Sequence, residues 1–176
     1  MSPATFASQT TRWASYLVPL ATTFIVTLVA VLPLPIPYYA ITAPSLTLIA
    51  VFYWMVFRPD LMPTVGLFAI GIVNDALSGA PLGLSSLIYL ITYMVILSQR
   101  RFIVGQSFLI LWCAFGLLAP AVLLLNWVVL SLMREAVLSP LAALSGIALT
   151  VLAFPLLAWP LVRVQRILLG NETMAG

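Results

Sequence analysis

Apolar residues fill the chain in long blocks, separated by short breaks rich in proline, glycine and charge. The blocks fall at 16–34, 39–57, 61–78, 83–98, 102–133 and 140–162. Most approach the ~20 residues that a helix needs to cross a ~30 Å hydrocarbon layer. Stretches such as 108–125 and 141–157 are apolar on all sides, without the alternation of a barrel strand. Lipid tolerates only closed barrels and helices, so the pattern predicts an all-α polytopic membrane protein with six transmembrane helices. The breaks have mechanisms. Pro33, Pro35 and Pro37 cannot continue a helix, and Arg58-Pro59-Asp60 and Gly79-Ala80-Pro81 interrupt the chain in the same way. Ser139-Pro140 pairs an N-cap residue with proline at the first helical position, so a helix should begin there.

The fifth block is long. About 31 helical residues would extend ~46 Å, so it is either one tilted helix or two segments broken near Gly116 and Pro120. Charge favours one helix. With six spans, Arg12, Arg58, Arg100, Arg101, Arg163 and Arg166 fall on one side and Arg134 on the other. The positive-inside rule makes the arginine-rich side cytoplasmic, with both termini inside, whereas splitting the fifth block would export Arg163 and Arg166. The expected layout is a cytoplasmic N-terminal segment (1–15), a six-helix transmembrane domain (16–162) and a cytoplasmic tail (163–176). The first block lacks a small-x-small cleavage site and should stay as a transmembrane helix. In the tail, Arg163 and Arg166 stand three apart among aliphatics, as suits a helix end at the lipid headgroups. Asn171-Glu172-Thr173 matches a glycosylation acceptor, without meaning on a cytoplasmic tail.

Composition narrows the function. The chain is 64% hydrophobic and 6% charged, with a net charge of +3 that comes from arginine alone. Scattered arginines set membrane orientation and form no nucleic-acid patch. There is no histidine, and the one cysteine, Cys113, lies in an apolar block where it packs as a small apolar residue. No metal cluster, phosphate loop or serine with a base is evident, and Arg134-Glu135 reads as a solvated pair. The inventory predicts neither an enzyme nor a cofactor.

The third block holds the most information: Gly66, Gly71, Asn74, Asp75, Gly79, then Gly83. Gly71, Asp75 and Gly79 are four apart, so a helix would align them on one stripe that a neighbouring helix can approach closely. Counted from Leu61, Asp75 lies ~21 Å deep, in the outer third of the membrane. Three readings stay open for it. It accepts hydrogen bonds from Asn74, Ser85, Ser86 or the free N–H groups where the next helix begins near Gly83. It faces a partner's transmembrane helix. Or it binds a substrate or proton. Tyr53, Trp54 and Arg58 end the second block, as a membrane–water boundary selects, or as a cytoplasmic-side docking surface requires. Ala142, Gly146 and Thr150 repeat the four-residue spacing and suit internal packing.

Tyr53-Trp54, Arg58-Pro59, then Gly71, Asp75, Gly79 and Gly83 at four-residue intervals, with Leu82-Gly83 and Ile91-x-Tyr93, on a small six-span chain, resemble the rod shape-determining protein MreD family. The specific part of the resemblance is confined to residues 53–93. It implies a bacterial inner-membrane scaffold of the cell-elongation machinery, which builds peptidoglycan. Members of this family are associated with MreC, whose single transmembrane helix leads to a periplasmic domain. The wider complex includes MreB and the synthase pair of RodA and its transpeptidase. The resemblance also implies a fold similar to the substrate-binding components of energy-coupling factor transporters. The first expectation is thus a non-enzymatic adaptor that binds MreC by helix packing, with Asp75→Leu or Gly79→Leu disrupting the complex. The alternative is a small-molecule-binding transporter component, which needs a polar-lined cavity near Asn74, Asp75 and Asn126.

Overall fold

Six α-helices and one 3₁₀ turn account for nearly all the residues that the computed structural model describes, which are 3–31, 44–133 and 139–173. Side chains are described for 17–31, 44–133 and 139–166. The helices are α1 (Pro3–Val31), α2 (Leu46–Phe57), α3 (Thr64–Ser78), α4 (Leu84–Ile103), α5 (Phe108–Met133) and α6 (Pro140–Thr173), with the 3₁₀ turn Pro59–Leu61 between α2 and α3. The connector at Pro33–Pro37 and the Arg134-Glu135 pair lie outside the described residues, as do the side chains of Arg12 and of Asn171-Glu172-Thr173.

Each apolar block carries a helix, but several ends differ from the hydropathy limits. The second block's helix begins at Leu46, so α2 has 12 residues and a length of about 18 Å. Helix α4 continues past residue 98 to Ile103, because Arg100 and Arg101 in its last turn complement the negative end of the helix dipole. Gly105, at φ 86°, then turns the chain into α5. The fifth block forms one helix of 26 residues with Pro120 inside it, starting at Phe108 and not at residue 102. Helix α6 runs on through Arg163 and Arg166, where no breaker stands.

Helix α2 is the axis of the molecule. Every residue from Thr47 to Val56 is buried. Helices α1, α3, α4, α5 and α6 follow one another in an arc around it, and α1, α4 and α6 pack directly against it. Phe52 of α2 meets Phe115 of α5 and Phe154 of α6 edge-on, at ring-centroid distances of 5.0 and 5.8 Å. Phe115 and Phe154 stack on each other at 4.6 Å. Such edge-to-face and offset arrangements are favoured by the ring quadrupole.

The outer surface carries many large apolar side chains. Leu117 is 80% exposed, Leu156 79% and Val65 77%, and exposed large aliphatics recur on α1, α3, α4, α5 and α6. A water-soluble molecule rarely exposes contiguous apolar area beyond a few hundred Å². Helix α5 and the stretch Pro140–Arg166 of α6 are each long and apolar enough to cross a membrane. The shorter apolar helices Leu46–Phe57 and Thr64–Ser78 are not.

Candidate functional site

Asp75 lies on the last turn of α3 and is fully buried. Its carboxylate reaches across the hairpin to the start of α4. Oδ2 accepts from the Gly83 N–H at 2.8 Å, and both oxygens accept from the Ser85 N–H at 3.1 Å. The first N–H groups of a helix have no partner within it, so an acceptor from elsewhere must satisfy them. A carboxylate there also faces the positive end of the helix dipole. The burial that lipid makes costly for a carboxylate is offset inside the chain. Beside it, the Asn74 amide donates to Ser85 Oγ at 3.0 Å, and Ser86 Oγ donates to the Phe68 carbonyl at 2.8 Å.

The glycines around Asp75 serve two different ends. Gly71 marks the crossing of α3 and α4: a Cβ there would fall onto the backbone of Ser86. Gly79 and Gly83 do not share that stripe. Helix α3 ends at Ser78, Gly79 closes it at φ 67°, and Gly83 opens α4 at φ 97°. A Cβ on either would meet nothing within 4 Å. Their requirement is conformational, since only glycine visits positive φ freely. Four-residue spacing in the sequence suggests one packing face, but the stripe breaks where the helix stops.

At the opposite end, Tyr53 and Trp54 point into the bundle and are buried. The Tyr53 hydroxyl donates to Gln165 Oε1 of α6 at 2.6 Å, and Trp54 Nε1 donates to Thr22 Oγ1 of α1 at 3.0 Å. These aromatics clamp α6 and α1 to the central helix. Neither is exposed on the outer surface. Arg58 caps α2, its N–H donating to the Trp54 carbonyl at 2.8 Å. Arg100 Nε donates to the Val56 carbonyl at 3.0 Å, adding a cation to the same C-terminus. These bonds gather the ends of α2 and α4 and the Arg163–Arg166 stretch of α6 at one end of the molecule.

One brace escapes a reading based on spacing. Pro155 has no N–H, which leaves the Val151 carbonyl without its partner in α6. Trp112 Nε1 of α5 donates to that carbonyl at 2.9 Å. The signal was the proline inside an apolar block, but nothing in the sequence says which side chain meets the orphaned carbonyl. Thr150, of the Ala142-Gly146-Thr150 series, is buried and accepts from the Ser45 N–H at 2.9 Å, tying α6 to the start of α2.

Near Asp75, a small cavity of about 50 Å³ is lined by Ser45, Asn74, Ser85, Tyr89 and Asn126 among aliphatics. Its volume and polar walls suit one or two water molecules. Among the described residues, no three potential metal ligands of the His, Cys, Asp and Glu types come together.

Among curated proteins and solved structures, none matches the chain. The sequence profile of one family, described as rod shape-determining protein MreD, matches residues 10–161. Together with the long apolar helices α5 and α6, that match points to a membrane protein with a role in determining cell shape. The chain belongs to the MreD family.

Proposed function

We propose that this protein is a non-enzymatic scaffold of the bacterial cell-elongation complex, holding an MreC-like partner by packing of transmembrane helices. In this reading the chain crosses the inner membrane six times, with residues 16–162 in the membrane and 1–15 and 163–176 in the cytoplasm. MreB, RodA and its transpeptidase are reached through the partner.

The observation that carries the proposal is the division of labour between polar and apolar groups. The buried polar groups Asp75, Tyr53 and Trp54 bond within the chain. The outward surface is a shell of large aliphatics. Such a shell meets other helices by van der Waals packing, the main means of association in lipid. Gly71, Asp75, Gly79 and Gly83 then act by fixing the α3–α4 hairpin, and Tyr53, Trp54 and Arg58 by fixing the end of α2. The partner reads the surface that these residues shape. The alternative reading is a small-molecule-binding transporter component with a fold like that of energy-coupling factor binding components. Among the described residues, the cavity beside Asp75 holds ~50 Å³, against roughly 300–1,000 Å³ for small-molecule sites.

The test is affinity purification of the tagged full chain from native membranes in mild detergent, with mass spectrometry of what is retained. Stoichiometric recovery of an MreC-like protein is expected. Recovery of an ATPase module with a transmembrane coupling subunit would replace the scaffold by the transporter.

A further inference from the structure

Helix α6 carries one exposed row that changes character along its length. Leu152, Leu156, Trp159, Arg163 and Arg166 follow at intervals of four, three, four and three, so they share a face, and all are exposed. The Arg163 guanidinium lies over the Trp159 ring at 4.3 Å from its centroid. From Leu152 to Arg163 the helix rises about 16 Å, close to the ~15 Å of one leaflet of a ~30 Å hydrocarbon core. The row as a whole is thus about one leaflet deep: an aliphatic track, then an aromatic shelf, with two guanidiniums one turn apart at its end.

We infer that this row is a binding site for one anionic phospholipid of the cytoplasmic leaflet. The acyl chain lies along Leu152 and Leu156, the glycerol region rests on Trp159, and the phosphate is held between Arg163 and Arg166. Guanidinium forks suit phosphate oxygens, and stacking on Trp159 holds Arg163 in place without neutralising it. An anionic headgroup is preferred over phosphatidylethanolamine, whose ammonium would face the same two cations. Arg101 at the end of α4 supplies an internal comparison. It too is exposed and lies over an exposed ring, Phe102, at 4.8 Å, but its neighbour Arg100 is turned inward to the Val56 carbonyl.

The inference rests on the membrane-embedded orientation proposed above, though not on the identity of any partner. The test is native mass spectrometry of the purified full chain with equimolar phosphatidylglycerol and phosphatidylethanolamine. Retention of phosphatidylglycerol several-fold over phosphatidylethanolamine is expected. Arg163→Gln and Arg166→Gln should each remove most of that preference, while Arg101→Gln leaves it within twofold. Equal loss in all three variants would reduce the effect to general surface charge and overturn the site. Competition by water-soluble glycerol phosphate at the same concentration would assign the guanidiniums to a free phosphate ester, also overturning it. Melting temperatures in uncharged detergent, expected to match the parent, separate lost binding from lost folding. Release of the chain from membranes by alkaline carbonate would refute the embedded orientation itself, a failure distinct from the others.

Discussion

Replacing Asp75 by leucine removes the acceptor that two backbone N–H groups share. Gly83 and Ser85 would be left facing an isobutyl group. A buried donor without a partner costs about 1–3 kcal/mol in a water-soluble protein. In bilayers the mean is nearer ~0.6 kcal/mol per interaction, because the unfolded chain also finds partners in lipid. Loss of an anion at the N-terminus of α4 adds about 0.3–1 kcal/mol. On the bilayer value, two donors and the dipole together give a loss of roughly 1.5–2 kcal/mol for Asp75→Leu. Asp75→Asn keeps one acceptor oxygen and should lose about half as much. The assay is reversible unfolding of the purified chain in mixed micelles by titration with dodecyl sulfate, followed by tryptophan fluorescence. Amide exchange at Gly83 and Ser85 should quicken in step. An Asp75→Leu protein as stable as the parent, with unchanged exchange at those amides, would refute the capping argument. If that same protein also lost its partner, the carboxylate would belong to an interface.

Gly71→Ala should be more harmful than its size suggests, since the added methyl group meets the Ser86 backbone; overpacking of about 1–3 kcal/mol is expected in the same titration. Gly79→Ala and Gly83→Ala, which meet no neighbour, should each cost about 1–2 kcal/mol through positive φ alone, and Gly79→Asn less than Gly79→Ala. Trp112→Phe orphans the Val151 carbonyl and should lose about 1 kcal/mol, whereas in a Pro155→Ala background, where the helix regains its own donor, the loss should shrink. Additive losses in that double-mutant cycle would refute the link between the proline and the indole. Tyr53→Phe should lose about 1 kcal/mol, and Gln165→Leu should add little on top of it.

The order of helices was legible because lipid demands long apolar blocks, and the breakers between them are proline and glycine. The start of α4 near Gly83, and the N–H groups it offers Asp75, could be read for the same reason. What the sequence concealed is which side of a helix faces inward. In water, polarity marks the outer face of an amphipathic helix; here Leu156 on the surface and Leu48 in the core are the same residue type in the same kind of block. That is why Tyr53 and Trp54 look like boundary aromatics and prove to be core. Gly79 misled by a different route, since a four-residue interval has helical meaning only while the helix lasts. Asn74 and Asn126, which line the small cavity, could be named from the sequence, but its size is set by side chains from four separate segments that no local pattern brings together.

The enclosure of α2 also orders the making of the molecule in time. At 12 residues it is too short to span the hydrocarbon layer alone. Its walls arrive late: Tyr53 waits for Gln165, and the Ser45 N–H for Thr150, partners more than a hundred residues downstream. A ribosome that has released α1 to α5 has thus delivered a bundle open along the side that α6 closes. The central helix becomes a core only when the last one docks, so a chain cut before α6 leaves exposed the segment on which every other helix is arranged.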